Sequence, residues 1–153
     1  MITYGQFAIE DVLPYTGLEL KEYRVGGKIF LVKMNSRRYH VFSKSLSCVS
    51  CGITGKFFLL QSHQNQRIKH REYSKAYRAH FNLYACNGDD LVLMTKDHII
   101  PKALGGPNSL LNYQTMCARC NKIKSNTPPE HGVIVEILNK LIESISPEII
   151  EKP

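Results

Sequence analysis

The chain has 153 residues, enough for one domain with a sizeable hydrophobic core and short for two. With 43% hydrophobic residues, 22% charged residues and no low-complexity tract, the composition excludes a mainly disordered protein. The formal charge of +7 favours a polyanionic partner such as nucleic acid, because clustered Lys and Arg side chains release counterions from a phosphate backbone.

The N-terminal region predicts a small antiparallel sheet. Residues 18–25, 28–34 and 37–42 are enriched in β-branched and aromatic side chains and are separated by Gly26-Gly27 and Asn35-Ser36. We therefore expect a three-stranded meander within an N-terminal β extension that spans residues 1–47.

Four of the five cysteines form two Cys-x-x-Cys pairs, Cys48/Cys51 and Cys117/Cys120. The segment 1–11 has no basic stretch before an apolar core, and no apolar run reaches the ~20 residues that cross a bilayer. We therefore expect a cytoplasmic protein with no membrane partner, in which paired cysteines indicate structural Zn²⁺ rather than disulfides. One pair alone could equally be buried free thiols; the second pair favours zinc.

The two cysteine pairs are too far apart for a compact zinc ribbon, so a folded insert must separate them. Its segment 61–80 is polar and basic, with cationic side chains interleaved with Tyr73 and Tyr77. A nucleic-acid contact surface and a solvated helix face are equal alternatives for this segment. The candidate contact residues are Arg67, Lys69, Arg71, Lys75 and Arg78.

The segments 80–86 and 91–97 flank Asn87-Gly88, a dipeptide typical of tight hairpin turns. The second strand ends at Asp97-His98, so a rigid element would fix both side chains. A Pro- and Gly-rich loop then predicts a return strand over residues 110–116, followed by a helix that begins near residues 117–119.

A C-terminal helix over residues 127–146 is predicted from Thr127 as N-cap, Pro128 at the first position and Glu130 at the third. Pro147 is expected to end it. Apolar residues recur on one face, which favours core packing over the alternative of a dimer interface. They are Val133, Ile134, Ile137, Leu138, Leu141, Ile142 and Ile145.

The residues around Asp97 have the chemistry for hydrolysing a phosphodiester bond. His98 can accept a proton from water near neutral pH, and Asp97 and Asn121 offer the oxygen ligands that Mg²⁺ prefers. Asn112 cannot act as acid or base, but its amide can bridge the loop and orient His98. Lys124, one helical turn beyond Asn121, can bind a phosphate.

The order Asp-His, Pro, Gly-Gly, Asn-x-Gln, Cys-x-x-Cys-Asn-x-x-Lys over residues 97–124 resembles the motif of HNH endonucleases. The resemblance implies an α+β protein with a ββα-metal core, here within a zinc-stapled region at 48–126 of a single domain, 1–153. It also implies that His98 is the general base, that Asp97 and Asn121 bind catalytic Mg²⁺ or Mn²⁺, and that Asn112 positions the His98 loop.

Asn121 stands where most family members have histidine, so the chain resembles the HNN variant. An amide oxygen in place of an imidazole nitrogen favours a hard ion over Ni²⁺ or Zn²⁺ at this position. The resemblance implies a nucleic-acid substrate, with double-stranded DNA favoured, and a bacterial or phage-infected cell. Arg119 and Lys122 are further candidate nucleic-acid contacts. The alternative is a zinc-stapled nucleic-acid-binding protein that keeps the fold without the catalysis.

Overall fold

A computed structural model of the chain describes residues 1–63 and 76–149, with side chains up to residue 145. The protein is α+β, as predicted, and combines antiparallel sheets with a C-terminal helix. The strands are β1 (Ile2–Phe7), β2 (Lys21–Val25), β3 (Lys28–Val32), β4 (Phe57–Ser62), β5 (Ala76–Arg78), β6 (His80–Asn87), β7 (Asp90–His98) and β8 (Tyr113–Cys117). The helices are α1 (Arg37–Lys44), α2 (Ala118–Lys124) and α3 (His131–Ile149).

A five-stranded antiparallel sheet in the order β1-β4-β6-β7-β8 forms the centre of the molecule. The predicted hairpin is present, because β6 and β7 pair through Asn87 and Asp90 on either side of the turn. Strand β1, which the sequence did not predict, pairs with β4 at the outer edge. A second sheet in the order β2-β3-β5 joins an antiparallel pair to a parallel one.

The prediction of a third strand in the meander is wrong, since residues 37–44 form helix α1. Ser36, in an extended conformation, precedes the helix, and the spacing of Tyr39 and Phe42 turns both rings inward. Both are 1% exposed, and the Tyr39 hydroxyl accepts a hydrogen bond from the backbone N–H of Phe81. Burial of this helical face outweighs the β-propensity of Tyr, Val and Phe.

The core lies between the central sheet and the N-terminal elements. Phe81 contacts Phe58 edge-on with ring centroids 5.9 Å apart, and Phe7 and Tyr23 pack against the same ring. The largest fully buried apolar or aromatic side chains are Tyr39, Phe30, Phe42, Phe58, Phe81, Met34, Leu60, Leu83 and Met94. The N-terminal segment is thus part of the same core that supports β6 and β7.

Helix α3 differs from its prediction at both ends. It begins at His131, and the Glu130 carbonyl accepts from the N–H groups of Val133 and Ile134, so Glu130 rather than Thr127 is the N-cap. Pro129 disfavours helical backbone at Pro128, which explains the delayed start. The helix also continues through Pro147 to Ile149.

The prediction that α3 packs against the core is correct for only part of its apolar face. Ile137 is buried and Ile134 and Leu141 are half-buried, because the helix contacts the short 3-10 turn Leu110–Asn112 along one side. The others are exposed: Val133, Leu138, Ile142 and Ile145. None of the helices in the described part of the chain is long and apolar enough to cross a membrane.

Candidate active site and cysteine cluster

Strands β7 and β8 and helix α2 form a ββα unit that carries the predicted catalytic residues. The antiparallel register places Asp97 opposite Gln114 and His98 opposite Tyr113, and α2 packs on both strands. A cleft of about 350 Å³ opens where β7 ends. It is lined by Lys96, Asp97, His98, Pro101, Lys102, Ala103, Asn121, Lys124, Ser125 and Asn126.

The Asp97 carboxylate is buried at the base of this cleft, with 7% of the residue exposed. Its Oδ2 accepts a hydrogen bond from Gln114 Nε2 at 2.9 Å and lies 3.0 Å from Lys124 Nζ. Lys124 Nζ also donates to the His98 carbonyl at 2.7 Å. Both contacts to the carboxylate within the described residues use Oδ2, so Oδ1 is the oxygen available to a further cation.

The Asn121 side chain is oriented by a short relay of hydrogen bonds. Thr95 Oγ1 donates its single proton to the Met116 carbonyl at 2.9 Å, so it can only accept from Asn121. The Asn121 amide nitrogen therefore faces Thr95, at 3.0 Å, and the amide oxygen is directed away from it. This orientation suits a ligand to a hard cation.

His98 contacts the loop that follows β7. Its Nε2 lies 2.9 Å from Asn108 Oδ1, and its ring meets Tyr113 edge-on at a centroid distance of 4.8 Å. The Lys96 ammonium lies over the same Tyr113 ring, with Nζ 3.7 Å from the ring centroid. The imidazole is thus held on two sides at the mouth of the cleft.

Asn112 is fully buried and lies behind the loop rather than in the cleft. Its Oδ1 accepts from the Ile100 N–H at 2.8 Å, and its Nδ2 donates to the carbonyls of Ile100 and Pro107, both at 3.0 Å. Its own carbonyl accepts from Ile99 N at 2.9 Å. One amide therefore ties the beginning of the loop to its end, directly after His98.

Two glycines allow this loop to close. Gly105 has φ +85°, a left-handed conformation that glycine adopts without strain. At Gly106 a Cβ would lie 1.8 Å from the Ile100 carbonyl oxygen, so no larger residue fits without moving the backbone. The Gly-Gly of the motif is thus required by the loop's geometry.

The four predicted zinc ligands come together, as the sequence indicated. The sulfur atoms of Cys48, Cys51, Cys117 and Cys120 all lie within 4.8 Å of one another, and Cys51 and Cys117 are 3.8 Å apart. Tetrahedral thiolate ligation with Zn–S near 2.3 Å requires a sulfur separation of about 3.8 Å. The cluster therefore fits a structural zinc ion.

The thiols of this cluster differ in acidity. Burial raises the pKa of the Cys48 thiol, but hydrogen bonds from the backbone N–H groups of Cys51, Cys117 and Ser50 lower it to about 6 overall. The hydrogen bond with the Cys117 side chain is the main cause that raises the pKa of Cys120 to about 12. The backbone hydrogen bonds at Cys48 thus favour its thiolate form, the form that ligates a metal.

The predicted nucleic-acid contacts are spread over several regions. Lys124 lies inside the cleft on Asp97, whereas Lys122 is exposed on α2. Arg119, also exposed, pairs with Asp90 at 3.5 Å, and Arg78 is exposed on β5. The four remaining candidates lie outside the described residues: Arg67, Lys69, Arg71 and Lys75.

Several residues that hold the site were not identified from the sequence. Thr95 could have been found, because the two-residue period of a strand places it on the same face as Asp97. Gln114 is the Gln of the Asn-x-Gln element in the motif, but its contact with Asp97 depends on the register of β8. The contact of Asn108 depends on the loop path, for which the sequence carries no separate signal. Lys96 and Lys102 add positive charge at the cleft, where a phosphate would be attracted.

The comparisons with known proteins concern the same region. Neither the curated proteins nor the solved structures contain a match to this chain. A family model described as HNH endonuclease matches residues 84–132, which contain β7, β8, α2 and two of the four clustered cysteines. The resemblance in the motif is thereby confirmed: residues 84–132 of this chain match the HNH endonuclease family model.

Proposed function

We propose that the protein is a metal-dependent endonuclease that hydrolyses DNA phosphodiester bonds, leaving 5′-phosphate and 3′-hydroxyl ends. The observation that carries the proposal is that His98, Asp97 and Asn121 line one cleft, so that an imidazole-bearing, a carboxylate-bearing and an amide-bearing residue border the same space. Surrounding lysines supply the positive charge that a phosphate backbone requires.

The cleft has a donor set suited to Mg²⁺ or Mn²⁺. Asp97 Oδ1 and the Asn121 amide oxygen would hold the ion, since the other atom of each group is already engaged with protein partners. Two protein oxygens, with water and phosphate oxygens completing the shell, are typical of Mg²⁺ sites. A bound ion would neutralise the charge that develops on the phosphoryl oxygens.

In this proposal His98 acts as the general base. Its imidazole would take a proton from water as the water oxygen attacks phosphorus and the bond from phosphorus to the 3′ oxygen breaks; a solvent water then protonates the departing oxygen to give the 3′-hydroxyl. Lys124 contributes by pairing with Asp97 Oδ2, which fixes the carboxylate and offsets its charge. Asn112 acts indirectly, because it holds the loop next to His98 and does not reach the cleft.

Incubation of supercoiled plasmid with the purified protein and Mg²⁺ or Mn²⁺ tests this function. We expect nicked or linear DNA whose ends are ligatable without phosphorylation, and no cleavage in EDTA. Salt-dependent DNA binding without cleavage under any divalent ion would instead establish the alternative, a non-catalytic nucleic-acid-binding protein on the same fold.

The orientation of Asn121 gives a separate prediction. Thr95→Val keeps the side-chain shape but removes the acceptor of the Asn121 amide proton, so the amide oxygen is no longer fixed. We expect Mn²⁺ affinity to fall about 10- to 100-fold, the usual loss when a ligand's supporting partner is removed. Titration calorimetry or Mn²⁺ electron paramagnetic resonance measures this directly.

Thr127→Val is the matched control, because Thr127 is exposed and its hydrogen bond to the Lys124 carbonyl is donated by its backbone N–H. It should bind Mn²⁺ as the unmodified protein does. Equal affinities in Thr95→Val and Thr127→Val would contradict the role of the Thr95 relay.

A further inference from the structure

The loop between β7 and β8 brings a second asparagine to the candidate general base. Asn108 Oδ1 lies 2.9 Å from His98 Nε2 and accepts a hydrogen bond from the Tyr113 hydroxyl at 3.2 Å. Neither Asn108 nor Tyr113 belongs to the residues assigned to catalysis or metal binding above. The imidazole, the amide and the phenol thus form one hydrogen-bonded group.

The Asn108 side chain is exposed, but the backbone on either side of it is anchored. The carbonyl of Pro107 accepts from the buried Asn112 amide at 3.0 Å. On the other side, the Ser109 carbonyl accepts from Asn112 N at 2.9 Å, and Ser109 Oγ accepts from Leu111 N. The loop therefore presents the Asn108 amide to His98 from a fixed position.

The oxygen of Asn108 has two lone pairs and two donors directed at them. A carbonyl oxygen can only accept, so the His98 nitrogen that contacts it carries the proton. In a neutral imidazole the other nitrogen, Nδ1, is then unprotonated. After Nδ1 has taken a proton from water, both nitrogens are protonated, and Oδ1 still accepts from Nε2.

We propose that Asn108 is a positioning residue that selects the Nε2–H tautomer of His98 and so makes Nδ1 the atom that removes the proton. Tyr113 supports it by filling the second lone pair of the amide oxygen and by contacting the imidazole edge-on at 4.8 Å. The proposal rests on the proposed function for its catalytic meaning, but the tautomer is a property of the free protein.

The tautomer can be measured by long-range ¹H–¹⁵N correlation on protein labelled with ¹⁵N-histidine, at a pH where the imidazole is neutral. His98→Gln identifies the His98 signals by their loss. We expect the unmodified protein to show protonated Nε2 and bare Nδ1. In Asn108→Leu the signals should shift towards a mixture of tautomers, whereas Asn108→Asp, which keeps an acceptor oxygen, should restore the Nε2–H pattern.

Cleavage kinetics provide the second measurement. In Asn108→Leu we expect kcat to fall about 10- to 100-fold with little change in KM, because the base is mispositioned while DNA contacts remain. Asn108→Asp should recover activity above the Leu variant. Asn139→Leu is the matched control, since Asn139 is exposed on α3, and it should change neither the His98 signals nor the rate.

An Nδ1–H tautomer in the unmodified protein, or His98 signals unchanged by Asn108→Leu, would overturn the proposal. Tyr113→Phe, which removes only the hydroxyl, supplies a second variant if Asn108→Leu fails to fold, and the same direction of shift is expected. Failure of this proposal can be distinguished from failure of the proposed function, since the His98 tautomer can be measured even in a protein that cleaves no DNA.

Discussion

Replacing His98 with alanine is expected to reduce DNA cleavage by about 10²- to 10⁴-fold, the usual contribution of a positioned general base. The substitution removes the imidazole at the mouth of the cleft and leaves Asp97 and Asn121 in place. Binding of DNA and Mn²⁺ should therefore persist. Single-turnover cleavage of a labelled duplex gives the rate, and fluorescence anisotropy gives the affinity for DNA.

His131→Ala is a suitable control, because His131 is exposed at the first position of α3. It should cleave DNA at the unmodified rate. A His98→Ala protein with full activity would exclude His98 as the base and would indicate another proton acceptor at the cleft.

The second large effect is expected on stability. Cys117 joins the end of β8 to the start of α2 and lies beside sulfurs contributed from residues 48 and 51, on the far side of the insert. Zinc binding to such clusters contributes about 10–16 kcal/mol in small zinc domains, which exceeds the net stability of most domains. Cys117→Ser, or removal of zinc by a chelator, should therefore unfold the domain at ambient temperature.

Circular dichroism during heating and metal analysis of the purified protein measure this effect. Cys86→Ser provides the control, because Cys86 is exposed and is not one of the four clustered residues. It should retain the melting temperature and one zinc per chain. If Cys117→Ser also retained both, the cluster would have no structural role.

The ββα unit could be predicted from the sequence because its signals are local. Asn87-Gly88 marks the β6–β7 turn, and the motif places His98 at the end of β7, Asn112 just before β8 and Asn121 in α2. Helix α1 could not be predicted in the same way, since its Tyr, Val and Phe residues favour strands. The three-residue spacing of Tyr39 and Phe42 indicates a helix only once both rings are known to face the core.

The pairing of β1 could not be predicted from the sequence for a different reason. Its partner β4 begins 50 residues after β1 ends, and no local pattern indicates a pairing across that distance. In the candidate site, too, some residues are identified by local sequence and some contacts only by the fold. The motif identifies Asp97 and Asn121, and strand periodicity places Thr95 on the face of Asp97. The hydrogen bonds by which Gln114 and Thr95 orient the two ligands become evident only from strand register and the position of α2.

The pairing of β1 with β4 has a consequence far from the cleft. Strand β4 carries the apolar sequence of Phe57–Leu60, and without β1 its backbone N–H and C=O groups would form an open, regular edge that can recruit another chain. Half of the residues of β1 are exposed, and its pairing shifts register between Thr3 and Gly5, an irregularity that discourages further strand addition. Trimming the first seven residues would therefore promote aggregation while leaving every residue of the cleft in the chain.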